Sequence, residues 1–291
     1  MIKKLNIIGC GNLAKTLAHL WAKQGVFETG DILTLSEESA SAAVKFIGAG
    51  QVVTSVNDLS QANVFLIATP DAHIVDMCHS LASSGVLRTG DIVFHCSGAL
   101  SSSVLDAASQ KGAMPASIHP VKSFADPQMA VSSFKGTFCG TEGNEHALSI
   151  LLPAFEAIGG LTFCVDPDHK TIYHAASVIV CNYLTALLEL GIQAYAKAGI
   201  DRDTAMKIMQ PIVSGTVDNV FKLGTAKALT GPIARGDVST VDHHLKALSE
   251  WDNEVAGIYQ DLGRVALDLS RIQGIASNDS LSALNKLFDR Q

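Results

Sequence analysis

Residues 9–14 have the sequence Gly-Cys-Gly-Asn-Leu-Ala, which is a GxGxxA motif. Its first glycine permits a tight turn, its second lets a ligand approach the backbone, and its alanine allows close helix–strand packing. An apolar run precedes the motif and an amphipathic stretch follows it. A strand, turn and helix in this order present free N–H groups to a pyrophosphate. The motif therefore predicts contacts to a nicotinamide dinucleotide at Gly9, Cys10, Gly11, Asn12 and Leu13.

Two other segments that follow predicted strands add candidates to this cofactor site. Thr69 and Pro70 follow the fourth predicted strand, and Ser97 and Gly98 follow the fifth. In an open parallel sheet, ligands bind outside the carboxyl ends of the strands. The alternatives are structural, with Asp71 as a helix cap and Ser97-Gly98 as an ordinary turn.

Ser36 follows the second predicted strand, where the adenosine ribose of a dinucleotide is bound. An acidic residue there favours NAD, whereas Arg, Ser or Thr favours the 2′-phosphate of NADP. Ser36 suits a phosphate, but Glu37 and Glu38 would repel one if they point towards it. These residues leave the choice between NAD and NADP open.

A polar stripe lies on a long apolar helix that is predicted over residues 170–198. Lys170, His174, Ser177 and Cys181 are spaced i, i+4, i+7 and i+11, so they share one face. Buried polar groups require partners, and a substrate and a cofactor amide would supply them. The stripe is therefore a candidate substrate site.

The elements that position these residues fall into two types. In the first half of the chain, short apolar runs alternate with amphipathic stretches, which predicts a doubly wound parallel sheet (a Rossmann fold). From residue 166 onward the pattern is helical only, and a second long helix is expected from Ser239 through Leu262. We therefore predict a dinucleotide-binding domain at residues 1–165 and an all-helical substrate and dimerisation domain at residues 166–291. A helix that is apolar on every side must be buried by other helices or by a second subunit, which predicts a homodimer.

The composition limits the class of protein. The chain has 291 residues, 47% of them hydrophobic and 17% charged, and a net charge of -7, which argues against nucleic-acid partners and anionic membrane surfaces. No export signal is expected, and the most apolar stretch, residues 175–188, is too short for a membrane span. Six scattered cysteines without a CxxC pair indicate reduced thiols. We expect a cytoplasmic protein with a small-molecule substrate and no metal site.

Further short motifs follow the glycine motif along the chain. They are residues 68–71 (Ala-Thr-Pro-Asp), 95–100 (His-Cys-Ser-Gly-Ala-Leu), 118–120 (Ile-His-Pro), 173–177 (Tyr-His-Ala-Ala-Ser), 182–184 (Asn-Tyr-Leu) and 230–237 (Thr-Gly-Pro-Ile-Ala-Arg-Gly-Asp). In this order they resemble a family of Rossmann-like oxidoreductases with a helical domain of originally unknown function. The resemblance covers nearly the whole chain, and residues 230–237 are its most specific part.

That family is similar to pyrroline-5-carboxylate reductase, to deazaflavin-dependent NADP reductases and to the β-hydroxyacid dehydrogenases. Some members resemble an alternative ketopantoate reductase, which reduces 2-dehydropantoate with NADPH. The resemblance thus implies NADP as cofactor and 2-dehydropantoate as the leading substrate. Glu37 stands where relatives often carry arginine, which puts the preference for NADP in doubt.

The resemblance and the polar stripe together suggest roles in the reduction of a small carbonyl acid. Lys170 lies where ketopantoate reductases and β-hydroxyacid dehydrogenases use a lysine, and His174 is the alternative proton donor. His119 is expected to line the nicotinamide pocket. Arg235 would bind a substrate carboxylate through two hydrogen bonds. The predicted substrate contacts are Ser177, Asn182, Arg235 and Asp237.

Structural roles and other functions stay open for these residues. Lys170 could be a solvated lysine at a helix start, His174 a core histidine, His119 a cap on the sheet, and Asp237 a partner of Arg235 or a helix cap. One alternative function is reduction of a cyclic imine of the pyrroline-5-carboxylate type, for which a lysine acid matters less. The other is a non-catalytic protein that binds NAD(P) and reports redox state to a partner.

Overall fold

A computed structural model describes residues 2–289 of the chain, and one eight-stranded sheet organises its first half. The strand order is β3-β2-β1-β4-β5-β6-β7-β8. Strands β1 to β6 are parallel to one another, β7 is antiparallel to β6, and β8 is parallel to β7. The strands are β1 Lys3–Ile8, β2 Phe27–Leu33, β3 Gln51–Val53, β4 Val64–Ile67, β5 Ile92–His95, β6 Met114–Pro120, β7 Phe138–Gly143 and β8 Leu161–Cys164.

Helices cover both faces of this sheet, so its central strands are continuous apolar runs. Every residue of β4 and β5 is buried, as expected for strands packed on both sides. On one face, Trp21 packs edge-on against Phe27 and Phe155 and donates from Nε1 to the carbonyl of Ala154 at 2.9 Å. The helices of this half are α1 Asn12–Gln24, α2 Glu37–Ile47, α3 Ile74–Ser83, α4 Asp106–Ser109, α5 Pro127–Ser132 and α6 Glu145–Ala157. The doubly wound α/β fold that the sequence predicts is confirmed.

The apolar segment after the sheet is one helical run with a change of pitch. Helix α7 (Lys170–Ser177) leads into a π-helical turn, Val178–Asn182, and then into α8 (Tyr183–Lys197). A π turn shifts the following side chains around the axis, so the predicted polar stripe ends at Ser177.

This helical run is the one candidate for a membrane span among residues 2–289. Pro167–Lys197 is long and apolar enough to cross a membrane by length and composition alone, which is weak evidence for a span. The run matches the long apolar helix that the sequence predicts over residues 170–198.

The C-terminal half is helical, as the sequence predicts. The prediction of one long helix from Ser239 through Leu262 was wrong. Asp252 interrupts it, because this residue adopts an extended conformation (φ −158°) and caps the next helix by accepting a hydrogen bond from the N–H of Glu254. Ile258 and Leu262 are exposed. The remaining helices are α9 Arg202–Leu223, α10 Thr225–Ala228, α11 Gly231–Arg235, α12 Val238–Trp251, α13 Asn253–Gln273 and α14 Asn278–Phe288.

The chain divides into two compact units after Asn182. This division lies later than the predicted boundary at residue 165 and assigns α7 to the unit that contains the sheet. The reason is that the first residue of α7, Lys170, is buried against the sheet.

Candidate active site

The turn between β1 and α1 requires glycine at its first position. Gly9 has φ +80°, and a Cβ there would lie 2.7 Å from the nitrogen of Thr69 and 2.8 Å from the carbonyl of Ala68. Its own N–H donates to the carbonyl of Leu33 at 2.7 Å. The turn is thus held between the carboxyl ends of β2 and β4.

The second glycine leaves open space at the start of α1. Gly11 precedes the first helical residue, no side chain caps the helix there, and a Cβ on Gly11 would meet nothing within 4 Å. Thr69 lies beside this turn, and its Oγ1 is buried without a hydrogen-bond partner among the described residues. Free helix N–H groups, open space and an unpaired hydroxyl fit a bound pyrophosphate and its neighbouring groups.

The other residues of the glycine motif have structural roles. Asn12 donates from Nδ2 to the carbonyls of Phe124 and Ala125 at 2.9 and 3.0 Å, which fastens the loop after β6 to α1. Only its backbone is therefore free for a cofactor. Cys10 is buried, and this burial raises the pKa of its thiol to about 12, so the thiol is uncharged. Leu13 is half-buried in the first turn of α1.

The segment after β2 carries two carboxylates at the start of α2. Ser36 caps this helix by accepting from the N–H of Ser39 at 3.2 Å. Glu37 and Glu38 occupy the exposed first turn, and Leu35 is fully exposed.

The loops after β4 and β5 are tied to each other. Ser97 donates from Oγ to Asp71 at 2.7 Å and accepts from the N–H of Ala99 and of Leu100 at 3.1 and 3.0 Å. Pro70 precedes a short 3-10 helix that begins at Asp71. The side chain of Ser97 therefore holds this loop in place, which is compatible with a role of the loop in binding a cofactor.

Two imidazoles and a phenol meet beside Gly98. His119 Nδ1 lies 2.9 Å from the hydroxyl of Tyr173, and the rings of His119 and His174 are 5.6 Å apart. A Cβ on Gly98 would collide with His174 Nδ1 and would lie 2.8 Å from Cε1 and Nε2 of His119. His174 Nδ1 is buried and has no hydrogen-bond partner in the described part of the chain. Gly98 thus leaves room for both imidazoles, and one nitrogen is unpaired.

His119 and Tyr173 form an uncharged pair at neutral pH. Burial, together with the nearby His174 and Lys170, lowers the pKa of His119 to about 4. Burial raises the pKa of Tyr173 to about 12. The hydrogen bond between His119 and Tyr173 therefore joins two neutral groups at neutral pH.

Lys170, on the same helix as Tyr173 and His174, is buried. Its ammonium donates to Glu142 Oε1 at 2.9 Å and to Ser117 Oγ, and the two charged side chains are 1% and 4% exposed. Glu142 also accepts from the N–H and the hydroxyl of Ser102 at 2.8 and 2.7 Å. The alternative of a solvated lysine is therefore wrong, because the β7 carboxylate and the β6 hydroxyl draw the side chain inward.

A neutral histidine extends the network across the sheet. His95 Nδ1 accepts from the N–H of Ser97 at 3.1 Å and lies 3.3 Å from Ser117 Oγ. The proton of the ring is therefore on Nε2, which donates to the carbonyl of Ser101 at 3.2 Å. Burial and the charge of Lys170 lower the pKa of His95 to about 4.

Sequence reasoning assigned no role to Glu142, Ser117, His95 or Tyr173. Glu142 had a usable signal, because an acidic residue within a buried strand requires a partner. Ser117 had none, since a serine in a strand is unremarkable until its neighbours are known.

The predicted substrate contacts are divided between the two compact units, with Ser177 and Asn182 in the first and Arg235 and Asp237 in the second. Ser177 is half-buried at the end of α7, and Asn182 is exposed in the π turn. Asp237 accepts from the N–H of Thr240 at 3.1 Å, which confirms the cap alternative, and Arg235 is exposed at the end of α11. In residues 2–289, no group of three or more His, Cys, Asp or Glu is placed to hold a metal ion.

Solved structures share this fold over almost the whole chain. Protein TM1727 from Thermotoga maritima is 26% identical, with 93% of this chain and 99% of that chain covered and a TM-score of 0.75. The proposed NADP oxidoreductase BF3122 from Bacteroides fragilis is 20% identical (94% and 98% covered, TM-score 0.69). A Myxococcus stipitatus imine reductase variant in complex with NAD+ is 16% identical (99% and 100% covered, TM-score 0.62). The last two likenesses establish the fold alone.

Two family models together match most of the chain. Among curated proteins, none matches this chain. Residues 2–120 match the model of a Rossmann-like domain, and residues 137–266 match a domain of unknown function, DUF2520. The chain thus belongs to the Rossmann-like proteins that carry a DUF2520 domain, and the DUF2520 match includes the last two strands of the sheet, β7 and β8.

Proposed function

We propose that the protein is an NAD(P)H-dependent oxidoreductase that reduces a carbonyl or imine carbon of a small acid. The observation that carries this proposal is the cluster of His119, Tyr173 and His174 at the same sheet edge as the Gly9–Gly11 turn. Carboxyl ends of parallel strands meet at one edge, so a dinucleotide on the turn extends towards the cluster. The solved relatives described as oxidoreductase and imine reductase support the same chemistry.

This chain's residues divide the binding of the dinucleotide between them. The N–H groups at the start of α1 would hold the pyrophosphate, with Gly11 leaving space for it. The unpaired hydroxyl of Thr69 is a donor for a cofactor oxygen. When bound, the reduced nicotinamide supplies the hydride.

A carbonyl substrate needs a proton on its oxygen as hydride arrives, and two groups here can supply it. The Tyr173 hydroxyl is neutral and is paired with His119. His174 offers a ring nitrogen without a protein partner. We assign proton donation to this cluster, with His119 as the neutral group that orients Tyr173.

The resemblance makes 2-dehydropantoate the first substrate to test. Arg235, Asp237, Ser177 and Asn182 remain predicted substrate contacts, with Arg235 the natural partner of a carboxylate. A cyclic imine is the second candidate. The burial of Lys170 favours it, because an imine that arrives protonated needs no charged acid from the protein.

The charges after β2 favour NADH over NADPH. Residues 34–39 contain two carboxylates and no Lys or Arg, and the hydroxyl of Ser36 is engaged as a helix cap. Glu37 and Glu38 form no ion pair in the described chain, so their negative charge is uncompensated by contact and opposes a 2′-phosphate. This departs from the NADP that the resemblance implies.

Two measurements test the proposal. Fluorescence titration should give a dissociation constant for NADH in the micromolar range. The dissociation constant for NADPH should be at least tenfold higher than that for NADH. NADH oxidation should then be followed with 2-dehydropantoate, other 2-keto acids and cyclic imines. Absence of binding of either nucleotide at millimolar concentration would refute the proposal. Binding without turnover on the whole panel would favour the non-catalytic, redox-reporting alternative.

A further inference from the structure

We propose that Lys170 is a positioning residue and not the proton donor, and that its buried ion pair with Glu142 holds α7 so that Tyr173 and His174 face His119. This inference rests on the reductase function proposed above. It gives Glu142, to which sequence reasoning assigned no role, a part in positioning α7.

The contacts of Lys170 place it out of reach of a substrate. Its ammonium is bonded to Glu142 on β7 and to Ser117 on β6, and it is 1% exposed. A general acid must lie within hydrogen-bond reach of the atom that it protonates. Among residues 2–289, the network continues from Ser117 to His95, which is fully buried and donates to the Ser101 carbonyl. It continues from Glu142 to Ser102, which is buried as well, so neither branch is open to a ligand.

The register between β6 and β7 relates the ion pair to the position of His119. Ser117 lies opposite Glu142 across β6 and β7, and His119 lies opposite Gly140. Side chains two residues apart on a strand share a face, so Ser117 and His119 both point towards α7. Lys170 is therefore bonded to one pair of sheet positions, and Tyr173 reaches the next pair along the same strands.

The space around Tyr173 leaves little freedom for α7 to shift. A Cβ on Gly140 would lie 2.7 Å from the Tyr173 hydroxyl, and that hydroxyl is 2.9 Å from His119 Nδ1. Residues three and four positions after Lys170 lie on its side of the helix, so a movement of Lys170 is passed on to Tyr173 and His174. Loss of the ion pair should therefore disturb both proton-carrying groups.

Two variants separate positioning from proton donation. Lys170→Arg keeps the positive charge but cannot release a proton near neutral pH. Lys170→Met combined with Glu142→Leu replaces the buried pair with apolar side chains, which proteins tolerate far better than the loss of one partner. Lys170→Met alone leaves Glu142 buried without its counter-ion. The matched control is Lys246→Met with Asp242→Leu, which removes an exposed ion pair on α12.

Turnover is measured with whichever substrate the panel identifies, together with NADH affinity and the NMR signals of the His119 and His174 Cε1–H groups. We expect Lys170→Met to lose at least 100-fold in kcat and to shift both histidine signals. At least one of Lys170→Arg and the double variant should keep kcat within tenfold of wild type with wild-type histidine signals. The control should match wild type.

The proposal is overturned if both variants fold and bind NADH normally, but each loses 1000-fold or more in kcat. Failure of both to fold would also overturn it, because a positional ion pair is replaceable. Failure of the reductase assignment is a different result, since the wild-type protein itself would then bind no nucleotide or reduce nothing.

Discussion

Burial determines the chemistry of single residues at this site. His95 and His119 are ordinary titratable groups in the sequence, but the fold removes them from water and lowers the pKa of each to about 4. Burial also lowers the pKa of Lys170, and its ion pair with Glu142 opposes this shift. The site is therefore built from neutral hydrogen-bonding groups around one enclosed ion pair.

The neutral state of His95 makes stability depend on pH. Unfolded histidine takes up a proton below about pH 6.5, whereas folded His95 does so only near pH 4, so the unfolded state binds more protons between these values. Its contribution to stability is complete above pH 6.5 and is lost as the pH falls towards 4. Between pH 7 and pH 5 we expect wild type to lose about 2 kcal/mol more unfolding free energy than His95→Asn.

Urea unfolding at pH 5, 6 and 7 measures this difference. The control is His243→Asn, which alters an exposed histidine of α12 and should leave the wild-type pH slope unchanged. Parallel pH slopes for wild type and His95→Asn would show that His95 is not held in its neutral form.

At the scale of elements, the turn from β1 to α1 contains two glycines with different roles: we expect one to be needed for folding and the other for binding a ligand. Gly9 has a left-handed φ of +80° and close backbone neighbours, whereas Gly11 faces open space. Glycine is thus required at the two positions of the motif for different physical reasons, and the motif alone does not distinguish them.

Gly9→Ala and Gly11→Ala should therefore behave differently. Gly9→Ala should lower the free energy of unfolding by about 2 kcal/mol or more, because its Cβ would lie within 2.7–2.8 Å of the β4 backbone. Gly11→Ala should change stability by less than about 0.5 kcal/mol but weaken NADH binding at least tenfold. Thermal unfolding and fluorescence titration measure these effects. Wild-type NADH affinity in Gly11→Ala would place the pyrophosphate elsewhere.

At the scale of the whole molecule, the apolar helical run Pro167–Lys197 remains uncovered in a single chain. Its exposed side chains include Ile172, Ile179, Val180 and Leu187. An apolar face of this kind is covered by another helix or subunit in most proteins. A homodimer therefore remains our prediction.

Analytical ultracentrifugation tests the homodimer. Wild type at micromolar concentration should sediment with twice the 30.6 kDa mass of one chain. Val180→Glu with Leu187→Glu should shift the protein to monomer, because two charges would be buried in the interface. Lys197→Glu, at the polar end of α8, should leave the dimer intact. A monomeric wild type would contradict the prediction, and a requirement for detergent would instead favour a membrane-covered helix.

The amino-acid sequence alone determined the class of fold and the place of the glycine turn. Both follow from local patterns: the alternation of strands and helices, and a motif within six residues whose steric demands are set by its own backbone. The same local logic identified His119, Gly98 and Thr69, since each follows a predicted strand.

The tertiary structure decided the partners of Lys170 and His119. Lys170 meets Glu142 across 28 residues, and His119 meets Tyr173 across 54. Both pairings depend on β7 running antiparallel to β6 in a register that places Glu142 opposite Ser117. A strand's direction and register are set by packing across the whole sheet, because the same short apolar segment pairs equally well in either direction until its neighbours are in place.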